Sequence, residues 1–134
     1  MDKTTVSVSF SIYGDDFDLN NVIKRMKIKP TETRVKGIVP EGRQRESIQT
    51  CWTISTKEEF SFDINQQLDS IITLLQPEKN ALLKIRDDFQ VKFVFTVLIK
   101  IENNYKPAIY FETKTLDFIN GISAEIDIDY YIYS

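Results

Sequence analysis

Glu125, Asp127 and Asp129 recur at every second position of the C-terminal segment, and Tyr131 continues the row. Side chains two residues apart on an extended chain share one face. A strand here therefore lines up three carboxylates and a phenol. Such a row suits a surface for a cationic partner, or oxygen ligation of magnesium or calcium. It equally suits a solvated face near a sheet edge, where charge deters aggregation. Like charges at this spacing repel, which makes a purely structural placement odd. A second acidic cluster, Asp15, Asp16 and Asp18, precedes an apolar-periodic segment and reads as helix capping with a favourable dipole interaction. A calcium loop would need a longer ordered series ending in a bidentate glutamate, and the sequence has none there.

Positive charge gathers elsewhere. Arg34, Lys36, Arg43 and Arg45 fall in a polar stretch, residues 31–48, punctuated by Gly37, Pro40 and Gly42. Guanidinium groups make bidentate contacts with phosphate and carboxylate, so the stretch fits an anion clamp. It also fits a mobile, solvated loop. No Walker-type or dinucleotide glycine pattern accompanies it. A loop of this length is uncommon unless it is functional or mobile.

Missing residue types exclude several chemistries. The chain has no histidine, which rules out a Ser-His-Asp triad, a Cys-His dyad and a histidine proton shuttle. Its one cysteine, Cys51, cannot close an internal disulfide, and a tetrahedral zinc site wants more thiols or imidazoles than the chain offers. Nothing in its neighbourhood points to a lowered pKa, so the thiol reads as inert. Catalysis by carboxylate, lysine or tyrosine stays open; no cofactor is expected.

Absence of disulfides fits a reducing cytoplasm, and Met1-Asp2-Lys3-Thr4 lacks a charged-then-apolar signal pattern. The longest apolar run, Phe93 to Ile99 with Thr96 inside it, is far short of the roughly 20 residues of a spanning helix. A cytoplasmic protein is expected. Net charge is −3 and the pI about 5.0, a balance that disfavours broad binding to nucleic acid or anionic membrane. Another protein, with a basic surface, is the expected partner. Oligomeric state is open: an exposed strand edge would allow pairing, which Lys92 and Lys100 would discourage.

The elements that position these groups follow from periodicity. With 134 residues, 42% hydrophobic and 28% charged, the chain suits a single globular domain over 1–134 rather than a disordered one. Val6, Val8, Phe10 and Ile12 alternate with Thr5, Ser7, Ser9 and Ser11, which predicts a half-buried strand. Gly14-Asp15-Asp16 breaks it. Asp18 caps a helix carrying Leu19, Val22, Ile23 and Met26, with Phe17 stapled onto Val22 and Pro30 as the stop. A short strand is expected at Val35 to Val39 and another at Ile48 to Ser55, where Trp52 serves as a core anchor or a stacking platform.

A helix from Asp63 to Leu75 places Ile64, Leu68, Ile71 and Leu75 on one stripe, and Pro77 opens a second helix with Ala81, Leu82 and Ile85 inside. Val91 to Ile101 is the strongest strand. Asn103-Asn104 turns into a strand at Ala108 to Glu112, a short helix runs from Thr115 to Asn120 with Gly121 as its stop, and Ala124 to Tyr133 ends the chain as a strand. The expected fold is α+β: a mainly antiparallel sheet with helices on one face. The order strand, polar break, short helix at both ends fits a duplicated strand–helix–strand unit.

Several landmarks together resemble a known family. They are a strand ending in Gly14-Asp15, a short helix closed by Ile28-Lys29-Pro30, Gly37, a strand with Trp52, a helical middle, and the closing Ile126-Asp127-Ile128-Asp129-Tyr130. This pattern, spread over nearly the whole chain, is similar to domain-of-unknown-function family 4279, a small and mainly bacterial family. Met26-Lys27 stands where a Leu-Gly pair is expected, which predicts a different end to the first helix. The resemblance implies one α+β domain and brings no established catalytic residues. By analogy with small stand-alone proteins found beside bacterial toxin genes, it implies an immunity-type inhibitor; the acidic row Glu125, Asp127, Asp129 and Tyr131, read from the residues themselves, is then the expected surface for a basic toxin. The alternatives are a small carboxylate- or metal-dependent enzyme, and an anion-sensing module built on Arg34, Lys36, Arg43 and Arg45.

Overall fold

A computed structural model of the chain describes residues 3–61 and 63–133; Met1 and Asp2 of the N-terminal segment lie outside the described residues. The first strand, β1 (Thr5–Gly14), buries Val6, Val8, Phe10 and Ile12, as the alternation requires. It sits at the centre of a six-stranded sheet among the described residues. β3 (Thr50–Ser55) flanks β1 on one side and β5 (Lys92–Glu102) on the other, both antiparallel to it. The short β2 (Glu32–Arg34) pairs outside β3, and β4 (Glu59–Phe60) pairs with the start of β1. β6 (Glu125–Tyr133) closes the other edge, parallel to β5. The sheet is therefore mixed but mostly antiparallel. The order strand, helix, strand recurs at the two ends, but β1 and β3 are antiparallel whereas β5 and β6 are parallel.

Helices pack on the face where Phe10 projects. α1 (Leu19–Arg25) starts at Asp18, whose side chain accepts the Asn21 amide at 3.1 Å. It ends at Arg25, five residues before Pro30, because Met26 already turns extended. The next amide, of Lys27, donates to the nearly buried Glu78 carboxylate at 2.5 Å. α2 (Asn65–Leu75) buries Leu68, Ile71 and Leu75. A single 3-10 turn, Gln76–Glu78 with Pro77 near its start, leads into α3 (Lys79–Phe89), which buries Leu82 and Ile85. α4 (Thr113–Gly121) supplies Phe118 and Ile119 and carries the chain from β5 to its parallel neighbour β6.

Aromatic rings dominate the core. Phe10 lies 5.0 Å from Phe95, 5.6 Å from Phe93 and 6.5 Å from Trp52, centroid to centroid. Trp52 is fully buried, so it is a core anchor and not a stacking platform. Phe17 stacks near Phe89 at 6.3 Å.

Three expectations are corrected. Residues 108–112 form no strand: Ala108 makes one isolated bridge to Asp63, and the segment otherwise runs as coil into α4. The strand expected at Val35 to Val39 lies earlier, at Glu32–Arg34, where the chain meets β3; beyond it only Lys36 bridges, to Ser47. Lys92 and Lys100 do not guard an edge, because β5 is interior; they pair with Glu125 and Glu58 respectively.

Candidate functional site

The second face of the sheet carries the hydroxyl and carboxylate rows. Register places Ser55 of β3, Ser9 of β1, Thr96 of β5 and Asp127 of β6 side by side across four strands. Neighbouring rows hold Thr53 beside Ser11, and Ser7 beside Leu98 and Asp129. With strands about 4.8 Å apart, one such row is roughly 14 Å long. This face is a trough. Two confluent clefts, of about 520 and 500 Å³, run along it and share Ser9, Ser55, Thr96 and Asp129. Among the described residues, no helix residue lines either.

The walls differ in charge. β6 forms one wall, with Asp127, Asp129, Tyr131 and Tyr133. Their side chains turn outward, as the period-two pattern predicts, and all four are exposed. Glu125 continues the wall but is held by Lys92 at 3.2 Å. Asp127 and Asp129 have no ion-pair partner among the described residues; their cross-strand neighbours are Thr96 and Leu98. The opposite wall is Glu32 and Arg34 of β2, with Ser47, Ile48 and Gln49 above them. Arg34 Nε donates to Glu32 Oε1 at 2.6 Å.

The floor is hydroxyl-rich and internally bonded. Ser11 and Thr53 share a hydrogen bond at 2.8 Å, and Cys51 Sγ lies 3.0 Å from Thr53 Oγ1. Burial pushes the Cys51 thiol above its ordinary value, against a smaller lowering by the Thr53 and Ser11 hydroxyls. Cys51 therefore stays a neutral thiol at physiological pH and is a poor nucleophile.

The four basic residues separate. Arg34, Arg43 and Arg45 line a third cleft of about 580 Å³ in the 35–48 loop. Lys36 instead pairs with Asp15 at 2.9 Å, a contact that raises its pKa chiefly through the Asp15 hydrogen bond. Asp15 thus anchors the loop, while Asp18 caps α1. Among the described residues, no group of three or more carboxylates or thiols is placed to hold a metal ion.

A family model described as Domain of unknown function (DUF4279) matches residues 3–133. The chain belongs to DUF4279. No curated protein and no solved structure matches it. Among the described residues of this DUF4279 domain, no helix is long and apolar enough to cross a membrane.

The sequence reading found the acidic wall but not the floor. Its signal was present: Ser7, Ser9 and Ser11 form the outer face of a central strand without one charge. Tyr133 and Ser47 gave no sequence signal.

Proposed function

We propose that this DUF4279 domain is a non-catalytic protein-binding module of the immunity type, using the open sheet face to seat a basic segment of a bacterial toxin. One observation carries the reading: Asp127 and Asp129 line the hydroxyl-floored trough without an ion-pair partner among the described residues. A lysine or arginine from a partner would find two carboxylates on one wall, hydroxyl acceptors beneath, and the exposed rings of Tyr131 and Tyr133 for its aliphatic stem. Complementary charge of this kind speeds encounter with a basic enzyme more than it deepens affinity. Acid–base catalysis would need carboxylates converging on one reacting atom; these stand in line along a strand.

The test is protection. The full chain is co-expressed with the product of an adjacent toxin gene, and complex formation is measured by pull-down at two salt concentrations. Rescue of growth, lost on Asp127→Asn/Asp129→Asn, supports the reading. A folded variant that protects as well as the native chain removes the acidic wall from the mechanism. Absence of both protection and complex overturns the proposal.

A further inference from the structure

Residues 35–48, within the polar loop expected over 31–48, form a built structure. Gly37 N donates to Ser47 O at 2.9 Å and Ser47 N to Ile38 O at 3.0 Å, which ties the two arms together. Ile38 N closes a turn onto Val35 O, and Arg43 N closes another onto Pro40 O at 3.0 Å. Each turn has a glycine at its third position with positive φ, Gly37 at 83° and Gly42 at 77°, a conformation that side chains resist. Lys36 N donates to Thr50 Oγ1, and its ammonium holds Asp15. The neck of the loop is thus bonded to the sheet, and the tip presents Arg43 and Arg45 over the cleft that Arg34 also lines.

Three features of that cleft point to a ligand. Arg43 and Arg45 have no ion-pair partner among the described residues, and Arg34 spends only its Nε on Glu32. Ser47 Oγ, on the cleft lining, is shielded from solvent and makes no hydrogen bond among the described residues. Among the described residues, Glu46 is the one carboxylate on the lining, against three guanidinium groups. The apolar side chains there are Pro40 and Ile48, the latter 83% exposed.

We infer that this cleft is an oxyanion site for a small phosphorylated molecule, its phosphate or diphosphate held by Arg34, Arg43, Arg45 and the Ser47 hydroxyl, with its organic part against Pro40 and Ile48. Planar guanidinium forks match phosphate oxygens in bidentate geometry. The volume, about 580 Å³, falls in the range of small-molecule sites. A long polyanion is disfavoured by the rest of the molecule: net charge is −3, and the trough beside the cleft has an acidic far wall. The site is separate from the Asp127–Asp129 wall and does not depend on the role proposed for it.

Titration calorimetry at constant ionic strength tests this. The probes are inorganic phosphate, pyrophosphate, adenosine diphosphate and a single-stranded oligonucleotide. Pyrophosphate should bind the native chain saturably at one site, and Arg43→Ala/Arg45→Ala should weaken it tenfold or more. Both side chains are exposed at the loop tip, so the ligand-free melting temperature should not change. Ser47→Ala should weaken binding severalfold, whereas Asp127→Asn/Asp129→Asn should leave it intact. Tighter binding of adenosine diphosphate than of pyrophosphate assigns the ligand as an organic phosphate; equal binding assigns it as the inorganic anion. No saturable binding of any phosphate, equal affinity in the arginine variant, or strongest binding of the oligonucleotide overturns the inference.

Discussion

Neutralising the acidic wall should stabilise the fold while weakening recognition. Asp127 and Asp129 stand two residues apart on one face of β6, so their carboxylates are about 7 Å apart at a strand rise of about 3.3 Å per residue. Two like charges at that distance repel by about 0.6 kcal/mol in water. The screening length of about 8 Å at physiological salt cuts this by more than half. Neither carboxylate has an ion pair to lose among the described residues. Asp127→Asn/Asp129→Asn should therefore melt about 1–2 °C above the native chain at low ionic strength, and the gain should vanish in high salt. Against a lysine-rich peptide the same variant should bind about three- to tenfold more weakly, because each lost exposed contact is worth about 0.2–1 kcal/mol. Thermal melts and peptide titration at two salt concentrations measure both. A variant that melts below the native chain at low salt would refute the reasoning, since the carboxylates would then be holding structure together. Unchanged peptide affinity would refute the recognition half alone.

Other outcomes follow from packing and protonation. Phe10→Ala removes a fully buried ring shared by Phe93, Phe95 and Trp52; it should cost about 3–5 kcal/mol in urea unfolding, and a loss below about 1 kcal/mol would contradict the assigned core. Gly14→Ala would set a Cβ 2.5 Å from Phe17 Cδ1 and 3.1 Å from Val91 Cγ1. That crowding should cost about 1–3 kcal/mol, read as a lower urea midpoint with an unchanged slope. Alkaline pH should loosen the fold for two reasons of the same sign. The folded Cys51 thiol has a raised pKa, so the unfolded chain sheds its proton first as pH climbs past about 9.0. Lys36 is likewise raised by Asp15, so its contribution holds below about 10.5 and is lost as pH passes the higher folded value. Melting temperatures across pH 8 to 11 should fall, and Cys51→Ala should remove the earlier part of the decline.

Much of this architecture was legible because one face of the sheet is packed and the other is not. Val6, Val8, Phe10 and Ile12 had to face inward once Ser7, Ser9 and Ser11 faced out. The same logic found β6, yet Tyr130 and Ile132 are exposed although they share the inward register of Ile126 and Ile128. Period two reports which side a residue takes, but not how far the helices extend over it. The strand expected at residues 108–112 had suitable residues but makes only the isolated bridge from Ala108 to Asp63 among the described residues. The acidic wall was visible because its residues alternate along one strand. The hydroxyl row was not, because strand order determines which distant residues meet. The arginine cleft was half visible: clustering named its residues, but only the bonded turns separate Lys36 from Arg34, Arg43 and Arg45.

The row Ser55, Ser9, Thr96, Asp127 draws on four segments scattered from one end of the chain to the other. No excised fragment or linear peptide can reproduce it, so truncation is a poor route to mapping what it binds. Conversely, every member of the row points away from the aromatic interior. Each position can be exchanged without displacing a core atom, so the proposed partner surface can be altered one residue at a time.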